Sequence, residues 1–302
     1  MDLFAFNKNI FLVINFFLVL IFNIYYNINV RNGDDNLKTR ITSAIVALCI
    51  FIPIFIIGGV PFKIAVYIIA MLGLREYINV HEKKKNFPDF IKLIAYLWLT
   101  IIFYELQIDK KMVMMIDFRY LISLFLVLMF PIVLYHDSKK YSINDACYII
   151  AGTLFLSISL SLGVMYRNMS LFLIVYLFLI TILTDTFALF TGRLIGKHKL
   201  LEVVSPNKTW EGFVGGSIIS TYVCSFYYLT VINPAASIFL VILMTLFLSI
   251  IGQLGDLFFS AIKRYYEVKD FSNLMPGHGG VLDRLDSIIF VMLTFCIFMT
   301  FI

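Results

Sequence analysis

Ten apolar runs, each close to the length a helix needs to cross a bilayer, constrain this chain more than any other feature. They fall at roughly 10–28, 41–60, 62–80, 91–108, 119–135, 146–166, 170–191, 212–231, 235–259 and 286–302. A transmembrane helix takes about 20 mostly apolar residues. Hydrocarbon offers no water to backbone N–H and C=O groups, so runs of this length must satisfy those groups internally, as helices do. Only 14% of the 302 residues are charged and 61% are hydrophobic, with a mean hydropathy of +0.93. A soluble domain carries about 25% charged residues. The predicted fold class is therefore all-α: a polytopic transmembrane helical bundle of about nine or ten spans.

Lysine and arginine are unevenly distributed between the loops. If 29–40 is cytoplasmic and the spans alternate, eighteen of these residues fall in cytoplasmic loops and six on the other side. Such a bias sets orientation. It puts the two most polar segments, 192–211 and 260–286, on one cytoplasmic side. The net charge of +5 thus belongs to loop placement, and no nucleic-acid partner is expected, since no basic patch accompanies a nucleic-acid fold pattern. Cys49, Cys147, Cys224 and Cys296 lie in apolar runs without metal spacing and read as small buried hydrophobes. Residues 1–37 read as an N-terminal extension with an extra, uncleaved span. Lys8 is the only base before its apolar run, and no small-residue cleavage site follows.

Ionisable groups near a span persist where they pair, line a wet cavity or do chemistry. The segment 260–286 collects four basic residues, four acids, one histidine and three glycines. This mixture suits a metal-bound polyphosphate: carboxylates for the cation, bases for phosphate oxygens, glycines for close backbone approach. Upstream, Gln253, Asp256, Ser260, Lys263 and Arg264 recur every three or four residues and share one face of a helix. The bland alternatives are an interhelical salt bridge, or Asp256 merely paired with Lys263 along the same helix. Downstream, Pro276-Gly277-His278-Gly279-Gly280 reads as a turn opening a helix near Val281, whose N–H groups would suit phosphate. Asp283 and Asp286 sit three residues apart on its first turns, near Arg284. Helix capping by Asp283 is the competing reading.

A third element runs from Thr184 to Gly212. Asp185 lies about two turns inside an apolar run, where an unpartnered acid is expensive. Ser205-Pro206-Asn207-Lys208-Thr209-Trp210-Glu211-Gly212 follows, with Lys208 and Thr209 as candidate phosphate contacts. Gly192 to Lys197 is not a P-loop: the glycines are one residue too close, His198 replaces the magnesium-binding hydroxyl, and no strand precedes it. Trp210 reads as an interfacial anchor, Lys83, Lys84 and Lys85 as a solvated positive run, His81 and His136 as lone loop histidines, and Gly215-Gly216 as a close helix contact.

The pattern Ser260-x-Ile262-Lys263-Arg264-x4-Lys269-Asp270-x-Ser272-x3-Pro276-x-His278-Gly279-Gly280-x2-Asp283-Arg284-x-Asp286 resembles the signature of the CDP-diacylglycerol synthases, also called phosphatidate cytidylyltransferases. Ser205-Pro206-x-Lys208-Thr209-Trp210-Glu211-Gly212, Gln253-x-Gly255-Asp256 and the stretch from Leu37 through Glu76 resemble further blocks of that family, so the likeness covers about 38–302. Met275 and Asn207 depart from it, the latter standing where a lysine is common.

The resemblance implies transfer of a cytidylyl group from CTP to phosphatidate, with release of pyrophosphate. It implies Mg2+, with a second cation left open, held by Asp283 and Asp256 with Asp185 and Asp286 alongside. Lys208, Lys263, Arg264, Lys269 and Arg284 would clamp phosphates, Asp270 and His278 would assist, and Ser205, Thr209, Ser260, Gly279 and Gly280 would contact substrate. Residues 38–191 would then form scaffold and lipid access, and 192–302 the catalytic part. Membrane lipids are expected partners, and a homodimer is left open. The competing functions are a membrane CTP-dependent kinase acting on a polyprenol or phytol, and an ion-coupled transporter.

Removing residues 1–35 is expected to leave CTP-dependent lipid product formation largely intact, because the extension holds no cluster of ionisable groups. A truncated protein that inserts correctly but makes no product would move the boundary.

Overall fold

A computed structural model describes Cys49 and residues 51–108, 118–274 and 279–299. The expected span at 10–28, His278 and the glycine turn before it lie outside the described residues. Among the described residues eight long helices follow one another: α1 (Gly59–Glu82), α2 (Asp89–Ile108), α3 (Phe118–Tyr135), α4 (Ile143–Met169), α5 (Leu171–Ile195), α6 (Trp210–Tyr227), α7 (Ile238–Tyr265) and α8 (Leu282–Phe298). A π-helical turn, Tyr228–Ile232, prolongs α6, and a helical stretch over 51–57 precedes α1. Among the described residues five helices are long and apolar enough to cross a membrane: α3, α4, α5, α6 with its π turn, and α7.

The helix ends follow local chemistry. Gly58 (φ 68°) and Gly59 (φ 57°) break the path between 51–57 and α1 in a backbone region that side chains disfavour. Arg167, at the end of α4, donates from Nε to the Phe55 carbonyl (2.7 Å) and from Nη2 to that of Ile56 (2.6 Å), which satisfies carbonyls the helix break leaves open. Ser142 starts α4 with a reciprocal capping box to Asp145. An unexpected element is a two-stranded antiparallel ribbon, β1 (Lys199–Leu201) with β2 (Ser205–Thr209), in the segment read as loop. Thr209 ends β2 and caps α6 by accepting the Gly212 N–H at 3.1 Å.

Glycines set how closely the site helices approach. The reading of Gly215-Gly216 as a close contact is matched: a Cβ at Gly216 would lie 2.7 Å from the Thr184 carbonyl oxygen of α5, and one at Gly215 would lie 2.7 Å from Thr191 Oγ1. At Gly255 of α7 a Cβ would meet Phe290 of α8 at 2.6 Å. Lipid gives little drive for helices to associate, so small residues and polar contacts set their register. Tyr176 meets Thr245 (2.8 Å), Thr184 meets Ser249 (2.8 Å), and Gln253 Nε2 donates to Ser217 Oγ (2.8 Å) and the Phe213 carbonyl (3.1 Å). These bonds tie α5, α6 and α7 at successive depths. Tyr166 of α4 donates to the Met292 carbonyl of α8 (2.9 Å).

Several bland readings change. His81 is buried, stacks on Phe87 with ring centroids 4.2 Å apart, and places Nε2 3.1 Å from Asp145 Oδ1. Lys85 pairs with the same carboxylate, and Lys84 Nζ sits 3.9 Å above the Tyr265 ring. The positive run is thus partly packed into the protein. Cys49 and Cys147 are exposed rather than buried, and Cys224 alone of the four is fully covered.

Gly216→Leu should uncouple α5 from α6. Overpacking commonly costs about 1–3 kcal/mol, so a clearly lower melting temperature in detergent is expected. An unchanged melting curve would show that the helices are not held by this contact.

Candidate active site

The polar stripe predicted for 253–264 forms on α7, which runs six residues beyond the expected span end at 259. Gln253 and Lys263 are buried, Asp256 and Ser260 half-buried, and Leu254, Phe258 and Ala261 exposed on the other side. Arg264, by contrast, points away from the stripe, with two guanidinium N–H groups donating to the carbonyls of Val204 (3.3 Å) and Val268 (3.1 Å). It braces the β1–β2 turn against the end of α7.

Three helices bring acids together. Asp256 of α7 faces Asp286 of α8, and Asp185 of α5 is an electrostatic neighbour of both. Asp185 is exposed at this junction. Lys208 enters from β2, with Nζ 2.5 Å from Asp256 Oδ2. That Nζ is buried, so the pair is shielded from water. The proximity of Gly216 to Thr184 brings the Asp185 turn towards α6, whose start carries β2 and Lys208.

The second pair is Lys263 with Asp283, 2.7 Å apart and nearly covered. Asp256 therefore pairs with Lys208, not with Lys263 as the salt-bridge alternative supposed. Lys263 is still close enough to influence Asp256 and Asp286 electrostatically. Four carboxyl groups (Asp185, Asp256, Asp283, Asp286) thus meet two ammonium groups (Lys208, Lys263). Such a site attracts a cation and offers two ammonium groups to an anion it carries.

The start of α8 differs from the sequence reading. Val281 opens the helix as expected, but its first N–H groups are not open to phosphate. Glu76 of α1, 4% exposed, accepts from Val281 N on Oε1 (2.9 Å), Leu282 N on Oε2 (2.9 Å) and Ser272 Oγ on Oε1 (2.6 Å). Asp283 Oδ2 accepts from Phe271 N and Gly280 N, both at 2.9 Å. Asp283 thus ties down N–H groups of the loop before the helix rather than capping α8 itself, alongside its pairing with Lys263. Gly279 takes φ 85°, and Gly280 has no room for a Cβ, which would lie 2.6 Å from Glu76 Oε2.

The remaining candidates are spread around this centre. Lys269, Asp270 and Arg284 are exposed on the loop side, with Asp270 packed beside Gly279. Ser260 Oγ reaches Asp256 Oδ1 at 3.4 Å, a weak contact. Ser205 is half-buried at the start of β2. Thr209 is buried, and its hydroxyl is committed to the α6 cap. Glu76 was legible only as the end of a family-like stretch; an acid one turn before a cytoplasmic loop gave no sign of a partner about 200 residues away.

Residues 38–302 match the profile of the cytidylyltransferase family. The chain belongs to that family. A phosphatidate cytidylyltransferase of Staphylococcus haemolyticus is 38% identical over 257 residues, covering 85% of this chain and 96% of the relative. Phosphatidate cytidylyltransferases of Staphylococcus epidermidis (257 residues) and Staphylococcus aureus (258 residues) are likewise 38% identical, with the same coverage of both chains. The acids and lysines of this cytidylyltransferase therefore lie within the matched region.

Asp256→Asn should abolish turnover, and Lys208→Met should lower stability by leaving half-buried Asp256 uncompensated, an effect smaller than the about 3–5 kcal/mol of a fully buried pair. The double variant should recover most of the melting temperature and none of the activity. Recovery of both would reduce the pair to a structural salt bridge.

Proposed function

We propose that this chain transfers a cytidylyl group from CTP to phosphatidate, giving CDP-diacylglycerol and pyrophosphate at a membrane. The observation that carries the reading is the junction of Asp185, Asp256 and Asp286 with Lys208 and Lys263, in a chain whose relatives are named phosphatidate cytidylyltransferases. In the reaction a phosphatidate phosphate oxygen bonds to the α-phosphorus of CTP, and the bond from that phosphorus to the pyrophosphate oxygen breaks. The nucleophile is ionised near neutral pH, so no strong general base is needed. The barrier is repulsion between two anions and charge building on the leaving pyrophosphate. Preorganised positive charge lowers both.

Lys208 fits this task, since its buried ammonium is held at the acids by Asp256. Lys263, fixed by Asp283, adds a second positive charge near Asp256. Arg284 and Lys269 border the same loop and would reach outer phosphates. The donor set also fits Mg2+. Among the described residues no three metal-binding side chains form a ready cage, yet magnesium usually takes only one or two carboxylates and completes its shell with water and phosphate. Asp256 and Asp286 would hold it, with Asp185 nearby and Asp283 free to join if Lys263 turns to phosphate. Bound there, the ion would screen the triphosphate and stabilise the leaving pyrophosphate.

Helices α1, α2 and α8 and the segment over 51–57 would complete the bundle towards nine or ten spans. The lysine and arginine bias would put the ribbon, the 266–281 loop and the site on the cytoplasmic side, where CTP is, while the lipid tails stay in the bilayer. CTP labelled at the α-phosphate tests the chemistry: the label should enter the lipid fraction with phosphatidate as acceptor. Label from the γ-phosphate in lipid, with none from the α-phosphate, would make the protein a kinase instead.

A further inference from the structure

Glu76 is a buried acid on a helix that contributes no other candidate site residue, and its three described donors are all neutral. They come from both ends of one loop: Ser272 near its beginning, Val281 and Leu282 at its close. Asp283 closes the same loop through Phe271 N and Gly280 N, and then reaches Lys263. Two carboxylates thus fasten one loop, one from α8 and one from α1. The positive end of α8, where an external phosphate would otherwise be favoured, is filled by the side chain of Glu76. Gly280 is part of the same arrangement, because any side chain there would collide with the Glu76 carboxylate.

We propose that Glu76 is a positioning residue for cytidylyl transfer: it supplies the anion at the α8 N-terminus and so fixes the loop, Asp283 and, through Asp283, Lys263. It does not touch substrate. Its consequence for binding is that phosphate is directed to the side chains of Lys208 and Lys263 rather than to the helix start. The loop end it holds is one residue from Asp283 and four from Asp286, so a small displacement there moves both carboxylates relative to Asp256. Misplacement of about 1 Å is enough to lose about 100-fold in rate.

The test compares wild type, Glu76→Gln, Gly280→Ala and the milder Ser272→Ala as full chains in detergent, each scored for melting temperature, for kcat per folded protein with CTP and phosphatidate, and for the Mg2+ concentration that gives half activity. Glu76→Gln keeps the shape but turns an NH2 group towards a backbone N–H. It should lower kcat by tenfold or more, change KM for CTP less than threefold, and raise the half-activating Mg2+ concentration. Gly280→Ala should do the same, and Ser272→Ala should shift both values in the same direction by a smaller factor. Wild-type kcat and Mg2+ response in Glu76→Gln would overturn the proposal. So would a loss in the three variants explained wholly by unfolded protein, with the folded fraction behaving as wild type. A wild type that makes no cytidylyl lipid would refute the proposed function instead, and one indifferent to Mg2+ would refute the metal reading and leave kcat as the measure of Glu76.

Discussion

A carboxylate fills the positive end of α8, and the geometry of the site depends on it. Helix N-termini attract anions because their first N–H groups have no partners within the helix. Here Glu76 from α1 meets that demand, and Asp283 meets the N–H groups of the loop just before it. The loop is therefore fastened at its described ends, where Gly279 and Gly280 allow protein carboxylates close to the backbone. Two ammonium groups, Lys208 from the ribbon and Lys263 from α7, face acids from α5, α7 and α8.

The packing beneath this loop explains how acids so far apart in sequence meet. Gly215 and Gly216 bring α6 against α5, and Gly255 brings α7 against α8. The hydroxyl and amide contacts from Tyr176 to Gln253 hold these helices in register. In a lipid-facing bundle each such bond is worth about 0.6 kcal/mol on average. Their value here is more in alignment than in stability, because a shift of one residue along α7 would carry Asp256 away from Lys208.

Much of this was legible in the sequence because membrane chains keep charge sparingly. The helix face of Asp256, Ser260 and Lys263, the helix start at Val281 and the glycine contact of α6 all followed from spacing. The partners of the charges did not. Spacing placed Asp256 and Lys263 on one face and made them natural candidates to pair, whereas the fold gives Lys208 to Asp256 and Asp283 to Lys263. Glu76, His81 and Arg264 were likewise misread or passed over, because their partners lie on other elements and periodicity along one helix carries no information about them. The ribbon 199–209 was too short to show an alternating pattern.

The most direct test is a structure with CTP and Mn2+, with the manganese located by its anomalous scattering. The account predicts the metal at Asp256 and Asp286, the triphosphate against Lys208 and Lys263, and Glu76 still bonded to Val281 and Leu282. Phosphate oxygens on those two N–H groups, with Glu76 displaced, would contradict it.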